Sequence, residues 1–334
     1  MRKTITVFRG DGIGPELTDA VMKILKAANA PLDYEIFEVG EAEWKRNGEL
    51  IPARAYASFE KNRVLLKAPI TTPVGKGFRS LNVRLRKKYQ LYANIRPIKS
   101  NVAVKTPYPN VDLVIFRENT EGMYAGLEQQ LDENTVHAIR LTTRPAVQRI
   151  IRAAFGYARA HKRKKVTCVH KANIIKLSEG MILSEFRNIA KEYPEIIADD
   201  KIVDNCCMHM VMRPEQFDVM VMENLFGDML SDLGAGLIGG LGLVPSANIG
   251  DGYAMFEAVH GSAPDIAGQN KANPTALCWA ACMLLDYLGD GDCAARIRAA
   301  VDNVLKEGLY LTADLGGTAG SNEYVDHILR RLSQ

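Results

Sequence analysis

Six cysteines, at positions 168, 206, 207, 278, 282 and 293, form no CxxC pair, and no histidine lies at zinc-finger spacing from them. That excludes the common structural zinc sites. Cys278 and Cys282 fall four apart in an apolar stretch and read as small core residues, a usage that fits a reducing compartment. Long hydrophobic runs are missing too. The longest, LGAGLIGGLGLV at 233–244 and ALCWAACMLL at 276–285, stop well short of the ~20 residues that cross a bilayer. Near the N-terminus Arg9 and Asp11 break the only candidate for a secretory segment. Charge of one sign is lacking: 42 Lys and Arg against 39 Asp and Glu leave a net +3. With no aromatic platform either, neither nucleic acid nor an anionic membrane is an expected partner. The expected location is the cytoplasm, or an organelle matrix if a targeting segment has been removed.

The 334 residues are 47% apolar and 24% charged, enough for a large core and more than one lobe. Strand-like and helix-like segments alternate from the start. TITVFRG is followed by GPELTDAVMKILKAA, which repeats Leu17, Val21, Ile24 and Leu25 at helical spacing behind Pro15. DYEIFEV, RVLLKAP, VDLVIFRE, KVTCVHK and FDVMVMENLFG are further strands, with helical patterns between them, and the chain beyond about residue 274 is nearly all helical. This order predicts an α/β fold with mostly parallel strands. The stretch 124–141, with polar DENT at its centre, reads as a projecting hairpin.

Several side chains look chemical. Asp228 and Asp232, four apart in NLFGDMLSDL, share one helix face, and two stacked carboxylates suit Mg²⁺ or Mn²⁺ between them. Leu225, Phe226, Met229, Leu230 and Leu233 predict that this helix is largely buried, which argues against two ordinary surface acids. Arg86, Arg96 and Arg117 border structured segments, the latter two expected at strand ends, where α/β proteins bind ligands. Convergent guanidiniums suit a substrate with several carboxylates, although any one of them is more often a surface ion-pair residue. Lys171 follows a strand and, if close to those cations, becomes a base or proton relay; Tyr124 is a candidate acid. His170 reads equally as structural. Asp204 follows another strand and would complete a carboxylate cage. In FEAVHGSAPDIAGQNKANP small residues let a ligand approach the backbone, and Asp265 could accept both hydroxyls of an adenosine ribose; the alternative is a plain connection.

In order along nearly the whole chain, GDGIGPE, YANIRP, RENTEG, HKAN, NLFGDMLSDL, GGLGL, VHGSAPDIAG and DLGGTAG resemble the β-decarboxylating dehydrogenases, which act on isocitrate, homoisocitrate, 3-isopropylmalate or tartrate. The resemblance implies a two-lobe fold that is not a Rossmann fold. A discontinuous large domain, 1–94 plus 248–334, would carry the cofactor, and a small domain, 95–247, the dimer contacts. It implies that Arg86, Arg96 and Arg117 hold substrate carboxylates, that Tyr124 and Lys171 handle protons, and that Asp204, Asp228 and Asp232 bind the divalent metal. In this family Lys171 and Asp204 would reach the site across a homodimer interface, with the hairpin clasping the partner. The reaction implied is oxidation of a 2-hydroxy acid by hydride transfer, then loss of CO₂ and protonation.

GDGIGPE is not the dinucleotide fingerprint G-x-G-x-x-G, because its third glycine comes one residue early. The resemblance assigns the adenosine contacts instead to His260, Gly261, Ala263, Asp265, Ile266 and Asn273. Asp265–Ile266 stand where NADP-linked relatives carry a Lys–Tyr pair, so NAD is the expected cofactor. Ser80 and Asn82, before Arg86, match polar positions that bind the γ-carboxylate of isocitrate, which makes isocitrate the expected substrate. Homoisocitrate, one methylene longer, is the harder competitor to exclude.

Overall fold

The computed structural model describes residues 2–72 and 80–333. Its strands are β1 (Lys3–Phe8), β2 (Leu32–Phe37), β3 (Val64–Lys67), β4 (Ala93–Lys99), β5 (Asp112–Glu118), β6 (Gly122–Gln130), β7 (Val136–Leu141), β8 (Lys165–His170), β9 (Ile197–Ile202), β10 (Val219–Met222), β11 (Pro245–Ile249) and β12 (Ala254–Ala258). Its helices are α1 (Gly14–Ala27), α2 (Glu41–Asn47), α3 (Ala53–Asn62), α4 (Leu81–Lys88), α5 (Arg144–Ala160), α6 (Ser178–Ala190), α7 (Val203–Met212), α8 (Asn224–Leu237), α9 (Thr275–Tyr287), α10 (Gly291–Glu307) and α11 (Ser321–Leu332).

Ten strands form one sheet in the order β2-β1-β3-β12-β11-β4-β5-β10-β8-β9. Each end is a parallel block, as continuous apolar runs such as VLLK and VMVM require when both faces are covered. The two blocks meet through antiparallel β11 and β4. This is a mixed α/β sheet rather than a doubly wound Rossmann one.

Helices cover both faces, more thinly over β4 and β11 at the centre. On one face α3 and α4 pack over β1, β3 and β12 through Phe59, Leu81 and Leu85, while α8 lies over β4 and β5 through Leu230. On the other, α9 packs over β11 and β12, and α5 over β5 and β10 through Ile150 and Ile151. Each face therefore has a cleft over the same two strands. Residues 122–141 form a separate two-stranded antiparallel hairpin, β6 with β7.

Two expectations change. Arg96 stands in the middle of β4, since the strand runs on through Pro97, which lies outside the stretch paired with β11. Met229 is exposed: the buried stripe of α8 is Asn224, Gly227, Leu230, Ser231, Gly234, Ala235 and Leu237. Leu230 and Leu237 face the sheet with small residues between them, while Leu225, Phe226 and Leu233 are only partly covered.

Candidate active site

Strand alternation puts Asn94, Arg96 and Arg117 on the face covered by α4 and α8, with Asn94 opposite Arg117 in register. Helix α8 starts at Glu223, whose carboxylate caps the amides of Leu225 (3.0 Å) and Phe226 (2.8 Å). It then passes directly over Arg117. A Cβ at Gly227 would sit 2.5 Å from the Arg117 side chain, so only glycine allows this approach.

The result is a cluster around one carboxylate. Asp228 Oδ1 accepts from Arg117 Nη1 and, at 3.4 Å, from Arg96 Nη1; its Oδ2 accepts from the Tyr124 hydroxyl. Asn224 Oδ1 takes Arg117 Nε at 2.9 Å, and Asn94 Oδ1 takes Arg96 Nε at 3.0 Å, fixing both guanidinium planes. Burial alone would raise the Asp228 pKa, but Arg117 and Arg96 overcome it and hold the carboxyl below its usual range. Burial and the Asp228 charge together raise Tyr124, keeping a proton on its hydroxyl. Asp232, one turn on and more exposed, is raised by burial and by Asp228. A cation bound between the pair would remove that repulsion. Hard carboxylate oxygens on one helix face thus fit Mg²⁺ or Mn²⁺.

Beneath the arginines lies a buried network that the sequence reading missed. Glu257 on β12 receives Lys67 Nζ at 2.7 Å, Arg86 Nη2 at 3.0 Å and Asn248 Nδ2 at 2.9 Å. Asn248 Oδ1 in turn accepts from Asn94 and Asn119, each at 2.9 Å. The available signal was a charged residue inside otherwise apolar strands, Lys67 in VLLK and Glu257 in AMFEA. Lys67, Arg86, Arg96 and Arg117 are all buried, against the buried carboxylate Glu257 and the half-buried Asp228. Arg86 Nε is buried without a partner among the described residues. The cleft is therefore short of negative charge, which a polycarboxylate would supply.

Ser80 precedes α4 with its hydroxyl 3.5 Å from Thr72 Oγ1, and Asn82, in the first turn, buries its amide oxygen without a partner among the described residues. Both lie on the helix that carries Arg86.

Lys171 and Asp204 stand apart from this cluster. They pair with each other, at the end of β8 and the start of α7, and Asp204 is well exposed. Within one chain the lysine's charged neighbour is therefore Asp204 rather than the arginines. Among the described residues no group of three potential metal-ligating side chains comes together. His170 is structural: its Nε2 meets Asp200 at 3.1 Å and its Nδ1 accepts the Ala172 amide at 3.0 Å.

The segment 260–273 lies between β12 and α9 and meets the glycine loop. A Cβ at Gly12, whose φ is +57°, would fall 2.0 Å from Ser262 O, and Ile13 N donates to that same oxygen at 2.8 Å. The loop glycines thus pack backbone on backbone and leave no cradle of their own at Gly12. Gly261 instead faces open space, and the Asp265 side chain is exposed. Ala263 takes a left-handed φ of +36°. His260 buries Nε2 without a partner among the described residues, and burial lowers its pKa, so the imidazole is neutral at pH 7. Asn273 Nδ2 donates to Asp314 at 2.9 Å, which ties this segment to the later DLGG turn; Ile266 rests half-buried against the core. An orphan imidazole nitrogen, an open glycine and an exposed carboxylate fit an adenosine group.

The isocitrate/isopropylmalate dehydrogenase family model matches residues 4–328. The chain is 48% identical over 330 residues to an Arabidopsis thaliana protein named isocitrate dehydrogenase [NAD] catalytic subunit 5, mitochondrial, covering 98% of this chain and 88% of that one. It is also 48% identical over 331 residues to a Dictyostelium discoideum protein named as a regulatory component of mitochondrial isocitrate dehydrogenase [NAD], covering 99% and 92%. The crystal structure of isocitrate dehydrogenase from Methylococcus capsulatus superposes with a TM-score of 0.96 at 47% identity, over 99% of this chain and all of that one. Because the match in sequence and fold runs through every element that builds the cleft, the chain belongs to the isocitrate/isopropylmalate dehydrogenase family.

Proposed function

We propose that this chain is an NAD-dependent isocitrate dehydrogenase, converting isocitrate to 2-oxoglutarate and CO₂. The observation that carries the reading is the convergence of Arg96, Arg117 and the Tyr124 hydroxyl on Asp228, with Arg86 beside them and the cleft left cationic. The three arginines bind and orient the substrate's carboxylates. Ser80 and Asn82, at the start of α4, hydrogen-bond the γ-carboxylate. A polar pocket of this kind rejects 3-isopropylmalate, whose isopropyl group would leave those groups buried and unpaired.

Asp228 and Asp232 would hold a divalent cation together with Asp204 of a second chain; when bound, it polarises the substrate's α-hydroxyl and stabilises developing negative charge. Residues 260–273 would hold NAD, which would supply the hydride acceptor, with Asp265 on the ribose hydroxyls and repelling a 2′-phosphate. His260, Gly261, Ala263, Ile266 and Asn273 complete that contact. Tyr124 is kept protonated by its burial and by Asp228. It delivers its proton to the carbon that has lost CO₂, and Lys171 of a second chain restores it.

The exchange of Lys171 and Asp204 calls for at least two chains. Large apolar side chains are exposed on the hairpin, Leu127, Val136 and Ile139, at Leu177 before α6, and at Met208 and Met212 of α7. A two-fold homodimer through the hairpin would cover them. The relatives' names, which divide catalytic from regulatory chains, support a multi-chain assembly, and in a heteromer the second chain would differ. Complete Tyr124, arginine and aspartate sets weigh against a purely regulatory role. The two-lobe division, 1–94 with 248–334 against 95–247, places the hinge at antiparallel β4 and β11, and closure of the cleft between the lobes would exclude water.

Among the described residues no helix is long and apolar enough to cross a membrane. Of cytoplasm and organelle matrix, the relatives' mitochondrial names favour the matrix.

The test is initial-rate NADH formation with Mg²⁺ on isocitrate, homoisocitrate and 3-isopropylmalate, each with NAD and NADP. A large preference for isocitrate with NAD is expected. Preference for homoisocitrate would overturn the roles of Ser80 and Asn82, and no turnover of any of them would favour the regulatory reading.

A further inference from the structure

The second cleft, on the opposite face of β4 and β11, is a cavity of about 780 Å³. Its origin is strand alternation. Asn94, Arg96, Ser246 and Asn248 point to the active face, so Ile95, Pro97, Ala247 and Ile249 point away from it and form the cavity floor. On one side α9 presents Trp279, Met283 and Tyr287, with Phe256 of β12 below; on the other α5 contributes Tyr157, stacked on His161 at 3.8 Å between ring centroids. Four aromatic residues, Tyr157, Phe256, Trp279 and Tyr287, line this open cavity over an apolar floor, an exposed apolar surface of the kind that marks a binding site.

The rim is polar and uneven in charge. Arg298 pairs with Asp286, and Asp302 feels the positive charges of Lys99 and Arg298. Lys99 and Lys306, both in the lining, have no salt bridge of their own among the described residues. Volume, an aromatic wall and a few polar groups at the mouth are the usual attributes of a small-molecule site. Lysines with no direct salt bridge at that mouth favour an anion as the molecule that enters. None of the lining residues belongs to the proposed isocitrate, cofactor or metal set.

We propose that this rear cavity binds a planar, largely apolar organic anion, with its ring system between Trp279 and Tyr157 and its anionic group at Lys99 and Lys306. The bound molecule rests against Ile95 and Pro97, the residues on either side of Arg96. Its site is thus separated from the proposed substrate arginine by the thickness of one strand. The inference does not depend on which substrate the front cleft takes.

The probe is 8-anilinonaphthalene-1-sulfonate, titrated into the intact assembled protein first without and then with saturating NAD, isocitrate being left out so that no NADH forms. Saturable enhancement of its fluorescence, one per chain, with energy transfer from tryptophan that disappears in Trp279→Phe, is expected. Asn303→Trp, at an exposed position in the lining, should block the mouth and abolish saturable binding. Lys306→Glu should weaken binding by roughly fivefold, the upper range for an exposed ion pair. Circular dichroism and unchanged isocitrate turnover check that all three variants fold. Binding that survives Asn303→Trp, that NAD displaces, or that falls as protein concentration rises would overturn the proposal. Those three results point respectively to another site, to the front cleft, and to occupation by a second copy of the chain.

Discussion

At the scale of single residues, Asp228 does two jobs that conflict unless the site is occupied. It neutralises Arg117 and Arg96, and it offers its oxygens to a cation. Tyr124 depends on it, because the hydroxyl that donates to Asp228 is also the proposed proton donor to product. Tyr124→Phe should leave binding of isocitrate nearly intact and lower kcat by about 10²–10⁴, the usual worth of a positioned acid. Steady-state kinetics giving a changed KM with unchanged kcat would assign the tyrosine to binding alone. Glu257 is the other critical carboxylate. Burial would raise its pKa, but Lys67 and Arg86 outweigh that and hold it well below the carboxylate range. Its folded-state value is thus lower than the ~4.3 of an unfolded chain, so its stabilisation is complete above that value and fades as pH falls through the folded one. Glu257→Gln should leave two buried cations unmatched and cost about 3–5 kcal/mol at neutral pH. The difference in melting temperature between wild type and variant should narrow in acid, below about pH 4. A gap that stayed constant with pH would mean that the glutamate acts through its shape.

At the scale of elements, the glycine loop and α8 both illustrate close approach rather than flexibility. Gly12→Ala places a methyl group on Ser262 O and demands a left-handed conformation, a backbone strain of about 1–3 kcal/mol before the clash is counted. The expected outcome is a raised KM for NAD together with a lower melting temperature, because the loop moves the 260–273 segment with it. An unchanged KM would separate the loop from the cofactor. Much of this level was legible in advance. The helical spacing of Leu17, Val21, Ile24 and Leu25 becomes the buried face of α1, and RVLLKAP, VDLVIFRE and KVTCVHK become interior strands of the sheet. The reading of α8 was less accurate, with Met229 expected inside. Of the five expected residues Leu230 is buried and the rest are partly covered or exposed, since contact with Arg117 and Ile98 selects glycine at 227 and 234. A small residue at a tight crossing carries no periodic signal.

At the scale of the whole molecule, the sheet explains why one chain holds only part of the proposed machinery. Asp228 and Asp232 sit on the helix over its centre, whereas Lys171 and Asp204 follow β8 and β9 at its far edge. Mixing two inactive variants tests this directly. Lys171→Met and Asp228→Asn, unfolded and refolded together, should recover about a quarter of wild-type activity if two-fold dimers form at random, since each mixed dimer then has one intact site. No recovery, with both variants shown to dimerise, would place the whole site within one chain.

The sequence by itself determined the alternation of elements, the family and the identity of the residues to examine, because apolar periodicity and short local patterns are written along the chain. Tertiary structure alone decided which of those residues meet. Arg86, Arg96, Arg117, Tyr124 and Asp228 come from five separate elements, and Lys67, Glu257, Asn94 and Asn248 join them only where antiparallel β4 and β11 bring the two parallel blocks together. Contacts of that kind depend on strand order and register, which are set by the packing of the whole sheet and leave no mark on any one segment.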